Sequence, residues 1–184
     1  MTKARDNANG GFGLVLMKPS SVVNGTDNGK GTVSFTGQST VSLNGCFNSI
    51  YTNYKIQFIF TAPTSTNSLT MRLRASSTDT SANYKNQNIV SNSTNIQARQ
   101  NDTGTDDWYI GADFNNGTIA EMTLFRPQTA TKTSFLSSAF SPYPATQYLQ
   151  LVGGEQTDST QFDGFTIANA SDIAGTISVY GYNN

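Results

Sequence analysis

Residues 51–74 read YTNYKIQFIFTAPTSTNSLTMRLR and contain two segments in which apolar and polar residues alternate. Apolar side chains occupy every second position over residues 54–60 and again over residues 69–73. Because successive side chains of a β-strand point to opposite faces, each segment predicts a strand with one buried and one wetter face. Pro63 and the small polar residues around it predict that a β-hairpin connects the two strands.

Further strand-like segments follow along the rest of the chain, separated by Gly, Asn and Pro. They are residues 14–17, 32–35, 40–43, 89–90, 94–99, 107–110, 118–126, 148–152, 162–167 and 176–182. The polar residues 83–88 and the Pro-punctuated region around Phe135 and Phe140 predict loops. No window keeps a 3.6-residue apolar period with helix caps, so little helix is expected.

Many short strands with turn signals between them predict an all-β fold. The first choice is an antiparallel jelly-roll-like β-sandwich of about eight to ten short strands, covering residues 13–184 as one domain. An immunoglobulin-like sandwich is the second choice, which the length and the missing Cys…Trp…Cys pattern weaken. Residues 1–12 stand apart as an N-terminal arm.

The arm combines Lys3, Arg5 and Asp6 with the flexible pair Gly10-Gly11 and has no apolar face to bury. Two interpretations stay open. It is either a frayed terminus or an assembly arm that becomes ordered only against a neighbouring subunit.

Composition limits the classes of function. Charged residues make up 12% of the chain against a usual share of about 25%, and the net charge is −1. Such a surface predicts no nucleic-acid partner and no attraction to an anionic membrane. No apolar run approaches the roughly 18 residues of a membrane span, and the first residues contain no signal-peptide core, so we expect no membrane insertion and no export address.

The usual catalytic and metal-binding residues are scarce. The chain has no histidine, which removes the commonest general base and transition-metal ligand. Cys46 is the single cysteine, so it forms no intrachain disulfide and is predicted to be a buried, inert thiol. We therefore expect no enzyme, no cofactor and no metal site.

Carboxylates are the remaining candidates for chemistry. They are Asp102, Asp106, Asp107, Asp113, Glu121, Glu155, Asp158 and Asp163. Most lie among Asn, Gly and Thr residues, where Asp commonly serves as a turn residue. Residues 102–113 have some of the acidic spacing of a calcium loop, but Asp107 stands where such a loop needs Gly. Whether Asp102, Asp106 and Asp107 bind a cation stays open.

Two pairs of residues form a possible binding surface. Arg72 and Arg74 lie two apart on the predicted polar face of their strand, where they could meet acidic residues of a neighbour or simply be solvated. Trp108 and Tyr109 could stack on a sugar ring or fill a partner's pocket. Alternatively, both aromatic side chains cap the sandwich core.

Three segments, residues 51–56, 71–79 and 175–182, resemble in their order a jelly-roll module of tailed-bacteriophage virion proteins, as found in capsid decoration proteins, head fibres and tail fibres. Residues 13–16 and 41–45 fit the same pattern, so the resemblance spans nearly everything after residue 12. It implies a β-sandwich, often trimeric, that serves assembly or attachment. The family has no shared catalytic motif, so it assigns no functional residue here.

The expected function is that of a non-enzymatic structural protein located in a tailed-phage virion, namely a capsid decoration (cement) protein or a small fibre component. It would assemble as a homotrimer through the arm and the sandwich faces and contact major capsid or tail proteins. The alternative is a receptor- or carbohydrate-binding module that recognises a host-surface glycan. An apolar, self-complementary patch would favour assembly, whereas an open groove lined by aromatic rings would favour glycan binding.

Overall fold

The computed structural model describes residues 13–61, 67–92, 94–113, 117–142 and 147–183. Within these ranges there are fourteen strands and no helix: β1 (Val15–Leu16), β2 (Ser21–Val23), β3 (Thr26–Asp27), β4 (Thr32–Asn44), β5 (Asn53–Phe60), β6 (Asn67–Ala75), β7 (Thr78–Asp79), β8 (Tyr84–Ser91), β9 (Ile96–Thr105), β10 (Trp108–Asp113), β11 (Thr118–Phe125), β12 (Thr133–Ser141), β13 (Tyr148–Gln156) and β14 (Gly164–Tyr182). All the strand pairings are antiparallel. The predicted all-β antiparallel fold is confirmed. The strands outnumber the prediction partly because β1, β2, β3 and β7 are only two or three residues long.

β14 is the strand at which two layers of sheet meet. Its first part, residues 164–168, pairs with β6 on one side and with β4 on the other. Its last part, residues 175–182, pairs with β5 and again with β4. Between the two parts the register with β4 shifts twice, and such irregularities bend a strand. The predicted strands at residues 32–35 and 40–43 therefore belong to one long strand, β4. Those at residues 162–167 and 176–182 likewise fall largely in one long strand, β14.

The bend divides the strands into two layers. The narrow sheet has the order β10-β6-β14-β4-β2, with β7 beside β6. The wide sheet continues from the last part of β14 through β5, β11, β12, β13 and β8 to β9. The layers pack through side chains, because the ring centroids of Trp108 on β10 and Phe135 on β12 lie 4.5 Å apart although these strands do not pair. The fold is thus a β-sandwich.

The two segments that first indicated the fold are strands with the predicted faces. On β5 the side chains of Tyr54, Ile56, Phe58 and Phe60 are buried, and on β6 those of Leu69, Met71 and Leu73 are buried. The predicted hairpin between these strands is wrong, because β14 lies between β5 and β6 and pairs with both. The two strands therefore belong to different layers.

Two regions predicted as loops are strands. Residues 84–88 belong to β8, and the region around Phe135 and Phe140 is β12. Both strands place polar side chains toward the core, among them Asn86 and Ser137, which are almost fully buried. A polar composition predicts a loop, but here the polar residues lie on the inward face of the wide sheet.

Candidate assembly surface

Arg74 lies in a hydrogen-bonded network on the outer face of the narrow sheet. Its Nη1 donates to Asp79 Oδ1 at 2.7 Å, to Thr166 Oγ1 at 2.6 Å and to Ser42 Oγ at 2.9 Å. Its Nη2 donates to the carbonyl oxygen of Ser77, in the tight turn between β6 and β7. Only 12% of its side chain is exposed. Because its hydrogen bonds reach the turn and both neighbouring strands, this predicted binding residue holds the β6–β7 turn against β4 and β14.

Replacing Arg74 with alanine should destabilise the fold by roughly 1.5 to 3 kcal/mol, because it removes several hydrogen bonds from a charged and mostly buried group. The matched control is Arg72→Ala, since Arg72 is 37% exposed and has only a long ion pair with Asp107, at 3.7 Å, and one exposed hydrogen bond to the carbonyl oxygen of Asp106, at 3.1 Å, in the described structure. We expect that control to cost less than about 1 kcal/mol. Urea denaturation of both variants measures the difference, and equal losses would contradict the structural role of Arg74.

The predicted aromatic pair is not a free surface. Trp108 is fully buried between the layers, and its indole N–H donates to the carbonyl oxygen of Glu155 at 3.2 Å. Tyr109 is partly buried, and its hydroxyl donates to the Oε1 atom of Gln150 on β13. The structure therefore places both side chains as in the alternative interpretation, in which they belong to the sandwich core.

The acidic side chains that the structure describes do not converge on one site. Asp107 faces Arg72, and burial raises the pKa of its carboxyl while the Arg72 guanidinium opposes that rise. Glu121 pairs with Lys55 at 2.5 Å on the outer face of the wide sheet. The side chains of Asp102 and Asp113 lie outside the described part of the chain. Among the described residues, no group of three or more acidic or cysteine side chains could hold a metal ion.

Cys46 is buried in the core, where its thiol lies 4.0 Å from the carbonyl oxygen of Leu43. Burial raises the pKa of the thiol far above its ordinary value, so the reactive thiolate is suppressed. We expect a water-soluble thiol reagent to leave the native protein unmodified and to label one thiol per chain in denaturant. Mass spectrometry of both samples measures this, and labelling of the native protein at the denatured rate would contradict the burial.

The outer faces of the two sheets differ in character. On the narrow sheet most outward residues are polar, and Val23 on β2 is an exposed exception. The polar ones are Thr40, Ser42, Thr70, Arg72, Arg74 and Thr166, of which Ser42 and Thr166 are covered by the Arg74 network. An antiparallel sheet with one face on the core commonly has such a solvated second face. The wide sheet does not follow this rule, and its outer face carries many of the exposed aliphatic side chains of the described chain.

These exposed side chains form a continuous band across neighbouring strands. Ile59, Ile119, Phe140 and Leu149 stand directly opposite one another on β5, β11, β12 and β13. Beside them, Leu151 on β13 stands opposite Ile89 on β8. We call this set of exposed side chains the apolar band. Its members are 40% to 78% exposed and are Ile59, Ile89, Ile96, Ile119, Leu136, Phe140, Leu149 and Leu151.

Beneath the band, the interior of the wide sheet is unusually polar. Gln150 lies between Leu149 and Leu151 in sequence, yet it is 1% exposed while both leucines are about half exposed. Its amide accepts the Tyr109 hydroxyl, and Ser137 on the adjacent strand donates to the carbonyl oxygen of Ile110 at 3.4 Å. The usual arrangement of apolar inside and polar outside is therefore inverted in this part of the sandwich.

A hollow opens in the outer face beside the band. It has a volume of about 730 Å³ and is lined by Gln87, Ile89, Glu121, Thr123, Leu136, Ser137, Ser138, Leu151, Val152 and Gly153. Gly153 lines the hollow and stands opposite Leu136 on one side and Gln87 on the other. Because Gly153 has no side chain, the Cδ2 atom of Leu136 lies only 3.2 Å from where its Cβ would be. No aromatic ring is among these lining residues.

The sequence pattern did not reveal this surface. Ile59 lies on the predicted wetter face of its strand, and the region around Phe135 and Phe140 is predicted as a loop. One signal was available: the run Leu149-Gln150-Leu151 alternates as cleanly as β5 does, but alternation does not say which of its two faces is buried.

Two comparisons with known proteins found no match: no protein-family model fits the chain, and no curated protein is similar to it. In the described residues, no helix is long and apolar enough to cross a lipid bilayer. The predicted assembly arm, with Lys3, Arg5 and Asp6, lies outside the described residues. Function is therefore inferred from the surface of the wide sheet.

Proposed function

We propose that this chain is a non-enzymatic structural protein of a tailed-phage virion, either a capsid decoration protein or a small fibre component. It assembles with copies of itself and with major capsid or tail proteins through the apolar band and the arm at residues 1–12. The resemblance of residues 51–56, 71–79 and 175–182 to virion jelly-roll modules supplies the virion setting and implies a trimer.

The apolar band is the observation that carries this proposal. Scattered apolar side chains are normal on a protein surface, but a contiguous band of them marks a surface that a partner covers. Covering it removes apolar area from water and so favours association. The burial of Gln150 between two exposed leucines also supports a partner. Leu149 and Leu151 become buried only when a partner covers them.

The band and its hollow favour assembly over glycan recognition. Proteins that bind sugars stack aromatic rings on the sugar face, whereas the residues lining the hollow include no aromatic ring. The acidic groups of this face are also occupied, since Glu121 pairs with Lys55 and Glu155 pairs with Lys132 at 3.3 Å. A host-surface glycan therefore has less support as a ligand than a protein surface.

The proposal is tested on purified phage particles. We expect mass spectrometry to find the chain in a fixed ratio to the major capsid or tail protein, and antibody labelling to place it on the particle surface. A double variant, Leu149→Lys with Leu151→Lys, should be incorporated far less than the natural chain. Ile50→Lys is the matched control, because Ile50 is 68% exposed but lies away from the band. Absence of the chain from particles would overturn the proposal.

The arm allows a separate prediction. Deleting residues 2–9 should leave the melting temperature nearly unchanged, because the described strands begin only at Val15. Incorporation into particles should fall sharply if the arm binds a neighbour, since ordering it alone costs roughly 1 to 2 kcal/mol per residue. Particle composition and thermal unfolding measure the two effects. Normal incorporation would show a passive terminus, and a large loss of melting temperature would show that the segment contributes to the fold.

A further inference from the structure

We infer that the apolar band is covered by a second copy of this chain, packed face to face about a two-fold axis, with Leu136 of each copy seated in the hollow at Gly153 of the other. This inference rests on the proposed assembly role of the band, names the partner that covers it, and assigns the chain a dimer in place of the trimer that the resemblance implies. It requires that the surface be complementary to itself in shape, in charge and in area.

The shape of the surface meets this requirement. Leu136 is 62% exposed and stands directly beside Gly153, and both residues line the hollow, so a ridge and a hollow are neighbours on this face. In an interface with two-fold symmetry, a residue pair that meets once meets a second time with the two copies exchanged. A two-fold axis that runs between the two facing sheets, parallel to the strands and between these two residues, therefore places the Leu136 ridge of each copy over the hollow of the other. Two sheets packed face to face lie about 10 Å apart.

The charges on this face suit a second copy. Both of its described carboxylates are paired within the face, Glu121 with Lys55 at 2.5 Å and Glu155 with Lys132 at 3.3 Å. A second copy therefore brings no unpaired carboxylate against the first. The two carboxylates face three lysines, Lys55, Lys85 and Lys132, so these groups leave a surplus of one positive charge and little field to attract a strongly charged partner.

The area also agrees with a dimer. The band crosses the strands from β5 to β9 and extends from Leu136 to Phe140 along β12. With strands about 4.8 Å apart and residues about 3.4 Å apart, and with the width of the side chains added, the patch measures roughly 30 by 20 Å. That is about 600 Å², close to the roughly 800 Å² per partner of a standard interface.

Gly153→Leu is the variant that separates this inference from its alternatives. The backbone of Gly153 is not in the left-handed region, and an added Cβ would meet the flexible end of Leu136, Cδ2, at 3.2 Å. Leu136 must therefore shift by a few tenths of an ångström, which its flexible end allows, and the larger side chain then fills part of the hollow. Leu136→Ala removes the ridge instead and leaves the hollow open.

The experiment is sedimentation equilibrium of the full chain over a concentration series, with thermal unfolding as the check on folding. The natural chain should be a dimer. Gly153→Leu and Leu136→Ala should each raise its dissociation constant at least tenfold, and Ile50→Lys should not change it. A natural chain that is monomeric or trimeric, or a dimer that Gly153→Leu leaves intact, would overturn the inference.

Failure here and failure of the proposed function give different results. A chain that is found in particles but is monomeric in solution keeps its virion role, and its apolar band then faces a different virion protein. A chain that forms the dimer but is absent from particles keeps the interface and loses the virion role. Particle composition and sedimentation must therefore be measured on the same preparation.

Discussion

Trp108→Ala should destabilise the protein by about 3 to 5 kcal/mol, which is the usual cost of removing a large aromatic side chain from a core. Trp108 is fully buried, and its ring centroid lies 4.5 Å from that of Phe135 and 5.2 Å from that of Tyr84. These contacts join β10 of the narrow sheet to β12 and β8 of the wide sheet. Their loss therefore opens a cavity where the two layers meet.

Urea denaturation followed by circular dichroism measures this loss. Ile50→Ala is the surface control, and we expect it to change the free energy of unfolding by less than about 0.5 kcal/mol. Trp108→Phe should fall between the two, because it keeps a ring in the core but loses the hydrogen bond to the Glu155 carbonyl oxygen. A cost below about 1 kcal/mol for Trp108→Ala would show that the indole is not in the core.

Phe58→Ala should have an effect of similar size, about 3 to 5 kcal/mol, for a different reason. Phe58 is fully buried on β5, and its ring contacts Phe60 and Phe165 at centroid distances of 6.1 and 6.3 Å. Phe165 belongs to the first part of β14, so this contact joins the two layers close to the bend in that strand.

Gln57→Ala is the matched control for Phe58, because Gln57 is the adjacent residue and points outward from β5. We expect it to change the free energy of unfolding by less than about 0.5 kcal/mol. Chemical denaturation of the two variants side by side tests whether β5 has the orientation described. A larger cost at Gln57 than at Phe58 would mean that Gln57, and not Phe58, points into the core.

The fold class could be predicted because several strands carry their pattern locally. On β5 and β6 one face is wholly apolar and the other is mostly polar, so the period of two gives both the strand and its buried side. The pairing of strands could not be predicted in this way. The partner of both β5 and β6 is β14, and no pattern within residues 51–74 refers to a strand about a hundred residues further along.

The candidate surface could not be predicted because two of its strands, β12 and β13, place polar side chains inward beside apolar ones. On β13 the alternation at Leu149, Gln150 and Leu151 is clear, but burial of the glutamine depends on the Tyr109 hydroxyl, which arrives from a strand of the other layer. On β12 the small polar Ser137 faces inward under β10 for the same kind of reason. A rule that assigns apolar residues to the core therefore predicts the wrong buried face for such residues.

The position of β14 in the chain determines when the sandwich can form during synthesis. Residues 164–182 leave the ribosome after the other described strands, yet they supply the shared neighbour of β4, β5 and β6, and Val15 on β1 pairs with Gly181. Until they emerge, the edges of β5 and β6 that β14 will cover stay open to pairing with other chains. A nascent chain that stalls before residue 164 should therefore yield chaperone-bound or aggregated product, not a smaller sandwich.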